Sequence, residues 1–218
     1  MNKKCPNCQL LNFSENEKCR RCDGELAEVS SIAPHFQSAK SKIFKRLAGL
    51  VLACLIALFG FYFSLIFSAK KLTYDERQTV ERSVAILAEK SFDKEVFLLK
   101  YLTAFRGNDN WLNASVIKEN AYAATNFPFE IMTLYPDFFT FPADDVERAA
   151  ILLHEAIHLK GGDEKEAYQF VWKNRKRLGW TKENYAGSIL WNNVRRQTQE
   201  YSPDLFVCGT GGHSDCTE

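Results

Sequence analysis

This sequence has almost no excess of charge of either sign. Its 28 Lys and Arg residues face 27 Asp and Glu residues, which leaves a formal net charge of +1. Such a balance provides no global basic field, so it does not favour nucleic acid as a partner. The sequence also lacks internal repeats and low-complexity tracts, which argues against a solenoid and against extended disorder.

Charge is absent altogether from residues 47–69. As a helix rising ~1.5 Å per residue, residues 47–67 would span roughly 32 Å, which matches the core of a bilayer. A long segment precedes this stretch, whereas a cleaved signal peptide has its apolar region close to the N-terminus. We therefore predict one transmembrane helix at residues 47–69 and contact with a lipid bilayer.

The apolar stretch divides the chain into regions of different composition. Residues 1–26 hold four of the seven cysteines, and residues 27–46 form a linker that becomes basic next to the membrane. Residues 70–218 have the mixed composition of a globular domain. We therefore predict a small N-terminal domain, a linker, a transmembrane helix and a larger C-terminal domain.

The orientation in the membrane depends on flanking charge and on cysteine chemistry. Basic residues lie on both sides of the span, slightly closer to it on the N-terminal side, so the positive-inside rule favours a cytoplasmic N-terminus only weakly. Paired thiols persist as metal ligands most easily in a reducing compartment. We predict a single-pass protein with its N-terminus in the cytoplasm and residues 70–218 outside.

Two CxxC pairs lie near the N-terminus, Cys5 with Cys8 and Cys19 with Cys22. The turn inside each pair directs both thiolates to one point, and two such pairs supply the four ligands of a structural zinc site. The pattern resembles the short zinc-ribbon family, which implies a closed site that stabilises the fold without chemistry. Two disulfides are the alternative. A cytoplasmic protein that binds the ribbon is the expected partner.

A second motif lies in a predicted helix that begins at Asp144, with Glu147 as its capping-box partner. In this helix His154 and His158 are four residues apart, so they share one face and can bind a single metal ion. The sequence His154-Glu155-Ala156-Ile157-His158 resembles the HExxH motif of the zincin metalloproteases. The resemblance implies that both histidines bind zinc and that Glu155 is the catalytic general base.

A third zinc ligand has to follow the two histidines, because catalytic zinc usually takes three protein ligands. Asp163, Glu164 and Glu166 are available. Asp163 is suited to cap the next helix with Glu166 as its capping-box partner, which leaves Glu164. Glu164 also occupies the third-ligand position when the chain is aligned with metzincins or with gluzincins. Glu166 stays the alternative, and two Zn²⁺ ions per chain are expected.

The fold predicted for residues 70–218 is α+β, a mainly helical zincin-like minidomain with a small sheet. Helices are expected from a Thr73–Glu76 capping box to about residue 90, over residues 92–105 and over residues 181–200. The segment 129–135 is the strand candidate. By resemblance to zincins, it would be an edge strand that pairs with an extended substrate.

Some further residues are assigned individually. Zincins often use a Tyr or His facing the zinc, so the resemblance implies a transition-state stabiliser among four side chains: Tyr168, Tyr185, Tyr201 and His213. Cys208 and Cys216 flank a glycine-rich loop and would form a disulfide in an extracytoplasmic domain.

The function implied by these motifs is that of a membrane-anchored zinc metalloprotease. Zinc would activate a water molecule, and Glu155 would act as the general base in the hydrolysis of a peptide or protein substrate. One alternative is a binding or signalling protein that keeps its metal site without hydrolysis and whose ribbon contacts a cytoplasmic partner. A hydrolase acting on a non-peptide amide is another.

Overall fold

The computed structural model describes residues 2–26, 36–112, 114, 122–208, 212–213 and 216–217. It is mostly helical, with three small sheets among these residues. The chain forms two compact units, Met1–Ala57 and Leu58–Glu218. The first part of the predicted linker, residues 27–35, lies outside the described residues.

The N-terminal domain is a hairpin followed by a second turn. Strands β1 (Asn2–Lys4) and β2 (Leu11–Phe13) pair in antiparallel register, and the isolated bridge between Lys18 and Glu25 closes the second turn. Its buried apolar side chains among the described residues are only Cys5, Cys19 and Leu26. A core this small does not hold a fold together, so the cysteines must contribute most of the stability.

Helix α1 (Phe36–Ser68) includes the charge-free stretch. Its segment Ser41–Ser68 is long and apolar enough to cross a membrane, and only 6% of the most apolar window is buried. A soluble core helix would bury most of such a surface. The helix begins before the predicted span because its basic N-terminal residues also favour helix.

Among the described residues, the second unit contains the last part of α1, from Leu58, together with seven further helices and two small sheets. Its helices and strands are α2 (Tyr74–Glu89), α3 (Asp93–Phe97), β3 (Ala104–Arg106), β4 (Ala123–Asn126), β5 (Ile131–Leu134), α4 (Pro136–Thr140), α5 (Asp145–His158), α6 (Glu164–Leu178), α7 (Lys182–Tyr185), α8 (Ile189–Tyr201), β6 (Val207–Cys208) and β7 (Gly212–His213). A π-helical turn, Leu98–Leu102, follows α3, and a 3-10 turn, Pro203–Phe206, follows α8.

Helix α5 lies at the centre of this unit and packs against α2, α6 and β4. Ala149, Leu152, Leu153 and Ala156 are fully buried, and the middle of the helix, residues 149–153, is continuously apolar. A second part of the core is aromatic, built from Trp172, Trp180, Trp191 and Phe206 with ring centroids 5.0–6.3 Å apart. The core positions α5 through its contacts with α2 and α6.

Two predicted helices differ from the structure. The helix expected over residues 92–105 ends at Leu102, and its last residues belong to β3 because Ala104–Arg106 pair with β5. The helix expected over residues 181–200 is divided into α7 and α8, since Ser188 caps a new helix by accepting from Trp191 N. The Thr73–Glu76 capping box of α2 is confirmed.

The segment 129–135 does contain a strand, β5, but the expectation that it is an edge strand was wrong. The strand β5 is the central strand of the order β3-β5-β4, pairs on both sides and is buried at all four residues. A strand with two neighbours has no free edge for a substrate. Among the described strands of this sheet, β4 is the edge next to α5.

Candidate metal centres

The geometry of α5 brings the two histidines together, and His154 lines a cleft. Asp144 caps the helix by accepting from the backbone N–H groups of Val146 and Glu147. The predicted return bond from Glu147 to Asp144 is not made. Instead the buried Glu147 carboxylate accepts from Ala143 N at 2.7 Å, from Trp180 Nε1 at 3.2 Å and from the Ser188 hydroxyl. Glu147 therefore joins α5 to the segment between α6 and α8.

The turn after α5 reverses the chain so that α6 lies beside the histidines. Gly161 has a left-handed backbone with φ of 82°, which favours glycine. At Gly162 a Cβ would lie 2.5 Å from Ile157 Cγ2, so a side chain has no room. Asp163 then caps α6 and shares a capping box with Glu166, as the sequence predicts. Glu164, the first residue of α6, is left facing the histidines.

Three ligand atoms converge at this point. His154 Nε2 lies 3.1 Å from His158 Nε2 and 3.2 Å from Glu164 Oε2, and His158 Nε2 lies 3.5 Å from Glu164 Oε1. Ligands at ~2.0–2.1 Å from a tetrahedral zinc would be separated by about 3.4 Å. The three residues therefore form a group that could hold a metal ion, and their spacing and donor types fit zinc.

The orientation of His158 is set by a second bond. Its Nδ1 lies 2.9 Å from the carbonyl oxygen of Gly162, which favours a proton on Nδ1 and leaves Nε2 directed at the cluster. A backbone carbonyl is a common partner for the outer nitrogen of a metal-binding histidine. The same turn that positions Glu164 thus also orients one of the histidines.

Electrostatics at the cluster favour a cation. A hydrogen bond with Glu164 is the main cause that raises the pKa of His158 to about 9. Hydrogen bonds from His154 and His158 hold the pKa of the Glu164 carboxyl far below its usual range. The carboxylate that stabilises a proton here would also stabilise a metal cation, so the proton and the metal compete for these imidazoles.

Glu155 lies beside the cluster and is almost entirely buried. Its Oε2 accepts a hydrogen bond of 2.7 Å from Thr125 Oγ1 on the edge strand β4. This bond holds the carboxylate at a defined place between α5 and the sheet. Thr125 did not emerge from the sequence because it is 30 residues away and belongs to no motif.

A cleft of about 540 Å³ contains His154, Glu155 and Glu164. Its far wall is α8, which supplies polar side chains that include Asn193, Arg196 and Gln197. The sequence predicted α8 only as a final helix, since a polar helix face has no signature that separates a cleft wall from solvated surface. The cleft is large enough for several residues of a peptide.

The predicted stabilisers differ in their positions. The ring of Tyr168 lies 4.4 Å from His154, its hydroxyl donates to Gln197, and it stacks on Tyr201 at 5.4 Å. Both tyrosines line the cleft. Tyr185 was a wrong candidate, because its hydroxyl donates to Asp144 at 2.6 Å, at the opposite end of α5. Tyr122 lines the cleft and was missed.

Two predictions concern the C-terminal end: a disulfide between Cys208 and Cys216, and His213 as a candidate stabiliser. Cys216 is disulfide-bonded. The side chains of Cys208 and His213 lie outside the described residues, although their backbones belong to the antiparallel pair β6 and β7.

The N-terminal cysteines form a second group that could hold a metal ion: Cys5, Cys8, Cys19 and Cys22. Sulfur atoms lie 3.5 Å apart between Cys5 and Cys22 and 3.4 Å apart between Cys8 and Cys19. Thiolates at ~2.3 Å from a tetrahedral zinc would be about 3.8 Å apart, close to this spacing. Four protein ligands would leave no position for a substrate.

The thiol groups of this cluster differ in acidity. Hydrogen bonding from the backbone of Arg21 is the largest influence on Cys19 and lowers its pKa to about 6. For Cys22, a backbone bond at Gly24 acts to lower the pKa, but bonds with Cys5 and Cys8 outweigh it and raise the pKa to about 12. Backbone donors therefore already favour the thiolate form that a metal requires.

Comparison of the chain with protein-family models, with curated proteins and with solved structures finds no match.

Proposed function

We propose that this chain is a membrane-anchored, zinc-dependent hydrolase that cleaves peptide bonds with Glu155 as the general base. The observation that carries the proposal is that His154, His158 and Glu164 come together beside the buried carboxylate of Glu155, and that His154, Glu155 and Glu164 line one cleft. Two histidines and one glutamate leave one coordination position open, as catalytic zinc requires. The four-cysteine cluster supports a second, structural zinc ion.

Each residue has a separate task in this proposal. His154, His158 and Glu164 would hold zinc, which when bound supplies a Lewis acid for the carbonyl and increases the acidity of water. Glu155 receives a proton during attack and delivers it to the leaving amine. Thr125 donates to Glu155 and so keeps its carboxylate fixed in the direction of the reacting bond.

The cleft supports a peptide substrate over a smaller amide. Edge strand β4 carries Thr125 and has one paired neighbour among the described strands. An extended peptide can add to such an edge through main-chain hydrogen bonds. The wall formed by α8 adds side-chain amides and a guanidinium that can bind peptide carbonyl groups.

Replacement of Glu155 by Gln tests the mechanism. The change keeps size and the bond with Thr125 but removes the base, so cleavage is expected to fall by ~10²–10⁴-fold while metal content stays the same. The measurement uses the full chain in detergent, a fluorogenic peptide library and elemental analysis. Glu200→Gln, the same change at an exposed residue, is the matched control and should retain cleavage. Undiminished cleavage by Glu155→Gln would refute the proposal.

A binding function for the ribbon is the second proposal. Leu11 and Phe13 on β2 have 64% and 65% of their surface exposed, although this domain has few apolar residues to spare. Two such side chains on one small strand suit contact with a partner protein. We expect Leu11→Ser with Phe13→Ser to abolish crosslinking of the ribbon to partner proteins in cells and to leave peptide cleavage unchanged.

A further inference from the structure

The end of the apolar helix α1, from Leu58, belongs to the second unit and packs against other residues of that unit. The ring of Phe61 lies 5.6 Å from that of Trp111 and 5.2 Å from that of Phe129. Trp111 Nε1 donates to Ser64 Oγ at 3.1 Å, and the neighbouring Leu65 is fully buried. The last two turns of α1 are therefore packed against other side chains of the protein, including Trp111 and Phe129.

The depth of these contacts follows from the position of Phe61. It precedes Phe67, the last residue of the apolar run, by six residues, which corresponds to ~9 Å along a helix. If the run fills the hydrocarbon core, as its length of roughly 32 Å requires, Trp111 and Phe129 reach the outer part of the bilayer. The exposed Lys70 and Lys71 come directly after the helix, where charged lipid headgroups would lie.

We name three aromatic residues the aromatic foot: Trp111 and Phe129, which contact Phe61, and the exposed Phe127, two residues before Phe129. Trp111 is 49% exposed and Phe127 is 60% exposed, a large apolar area for a protein surface in water. Tryptophan is enriched at the membrane interface because its ring is apolar and its N–H is polar. Here that N–H is already bonded to Ser64, so the ring can enter apolar surroundings without leaving a donor unsatisfied.

The aromatic foot is also next to the metal centre. The ring of Phe127 lies 3.7 Å from the position of a Cβ on Gly161. Gly161 is three residues from both His158 and Glu164, which bounds the distance along the chain to roughly 11 Å. The edge strand β4 ends at Asn126, directly before the foot, and Asn126 Oδ1 accepts from Asn110 Nδ2 at 3.0 Å. Strand β4 thus runs from the membrane side to Thr125 and Glu155.

We propose that the aromatic foot seats the second unit in the membrane interface, so that its cleft acts on polypeptides anchored in the same membrane. This inference rests on the proposed hydrolysis. A chain that leaves the bilayer beside α1 meets the free edge of β4 first and reaches Glu155 within a few residues. The substrate class is therefore the juxtamembrane segment of a membrane-anchored protein or of a peptide left in the membrane.

The seating is tested with the full chain in phosphatidylcholine vesicles that carry brominated acyl chains, which quench tryptophan by contact. Trp172, Trp180 and Trp191 are buried in the domain core, so Trp111 is the tryptophan expected to be quenched. Trp111→Phe should remove the quenchable signal, and Phe127→Ser should reduce quenching of Trp111 by at least half. Full accessibility of Trp111 to aqueous iodide without quenching by bromolipid would overturn the seating.

The substrate class is tested with one randomised octapeptide library in two forms, free in solution and fused to a single-span helix in the same vesicles. Fused chains should be cleaved at least tenfold faster than free peptides, and a spacer of about 30 residues before the library should remove the difference. Equal rates for both forms would overturn the inference and leave the proposed hydrolysis intact. Bromolipid quenching without cleavage of either form would refute the hydrolysis and still support the seating.

Discussion

The two groups of side chains that could hold a metal ion differ in what surrounds them. In the N-terminal domain the cysteines are themselves the core, with Leu26 as the other buried apolar residue described there. In the second unit His154, His158 and Glu164, which could also hold a metal ion, lie beside a large apolar core made of other residues. The first group therefore supplies most of the buried apolar side chains described in its domain, whereas the second group does not.

The difference also concerns what the clusters can do. Four thiolates complete a tetrahedron and exclude substrate, whereas two imidazoles and one carboxylate leave a position open. In the second cluster His154 and Glu164 line a cleft, and the buried carboxylate of Glu155 lies beside them.

The largest effect is expected from removal of the ribbon ligands. Cys19→Ser should unfold residues 2–26, since metal binding supplies about 10–16 kcal/mol to small structural zinc domains. Trypsin would then cut rapidly at Lys18, Arg20 and Arg21, while the second unit stays intact. Cys54→Ser changes a cysteine outside the cluster and should leave the digestion pattern unchanged. If residues 2–26 of Cys19→Ser stayed resistant to trypsin, the cysteine cluster would not be what holds this domain folded.

Removal of the two histidines should abolish cleavage and metal binding at this site but leave the domain folded. His154→Ala with His158→Ala is expected to lower the zinc content from two ions to one and to abolish cleavage. The domain should still unfold cooperatively, with a loss limited to the stability that metal binding added. Elemental analysis gives the first result, and fluorescence of the core tryptophans during heating gives the second. Complete unfolding of this variant would show that both clusters build their domains.

Zinc content can also show whether Glu164 or Glu166 is the third ligand. Glu164→Gln removes a ligand charge and should weaken zinc binding at this site, whereas Glu166→Gln alters only the cap of α6. A stronger effect of Glu166→Gln on zinc binding would move the third ligand to that residue.

A smaller effect is expected from the buried carboxylate that supports α5. Glu147→Gln places an amide N–H₂ among the donors Ala143 N, Trp180 Nε1 and Ser188 Oγ. At least one buried donor loses its acceptor, which should cost about 1–3 kcal/mol of unfolding free energy without changing zinc content. Chemical denaturation followed by tryptophan fluorescence measures the loss. Glu200→Gln, an exposed residue, is the control and should change nothing.

The smallest effect is expected at Thr125. Thr125→Val removes the bond to Glu155 but keeps the shape of the side chain, so kcat should fall about tenfold, which corresponds to ~1.4 kcal/mol, with KM unchanged. Thr125→Ser keeps the hydroxyl and should restore most of the rate. An unchanged kcat for Thr125→Val would show that Glu155 needs no positioning from β4.

The sequence determined the features that depend on nearby residues. The two CxxC pairs, the spacing of His154 and His158, and the capping box of Asp163 and Glu166 are all local. Backbone geometry alone converts spacings of three or four residues into a shared helix face or a closed turn. That is why Glu164 could be singled out before the structure was known, since the roles of its neighbours follow from their distance to one another.

Only the tertiary structure decided which distant residues surround these motifs. Thr125 reaches Glu155 from another element, Glu147 turns away from its expected capping bond to meet Trp180 and Ser188, and β5 lies in the middle of its sheet. The contact of Trp111 with the end of α1 is of the same kind. Such contacts depend on how apolar faces pack together, and one strand or helix face has many compatible partners, so local spacing could not select among them.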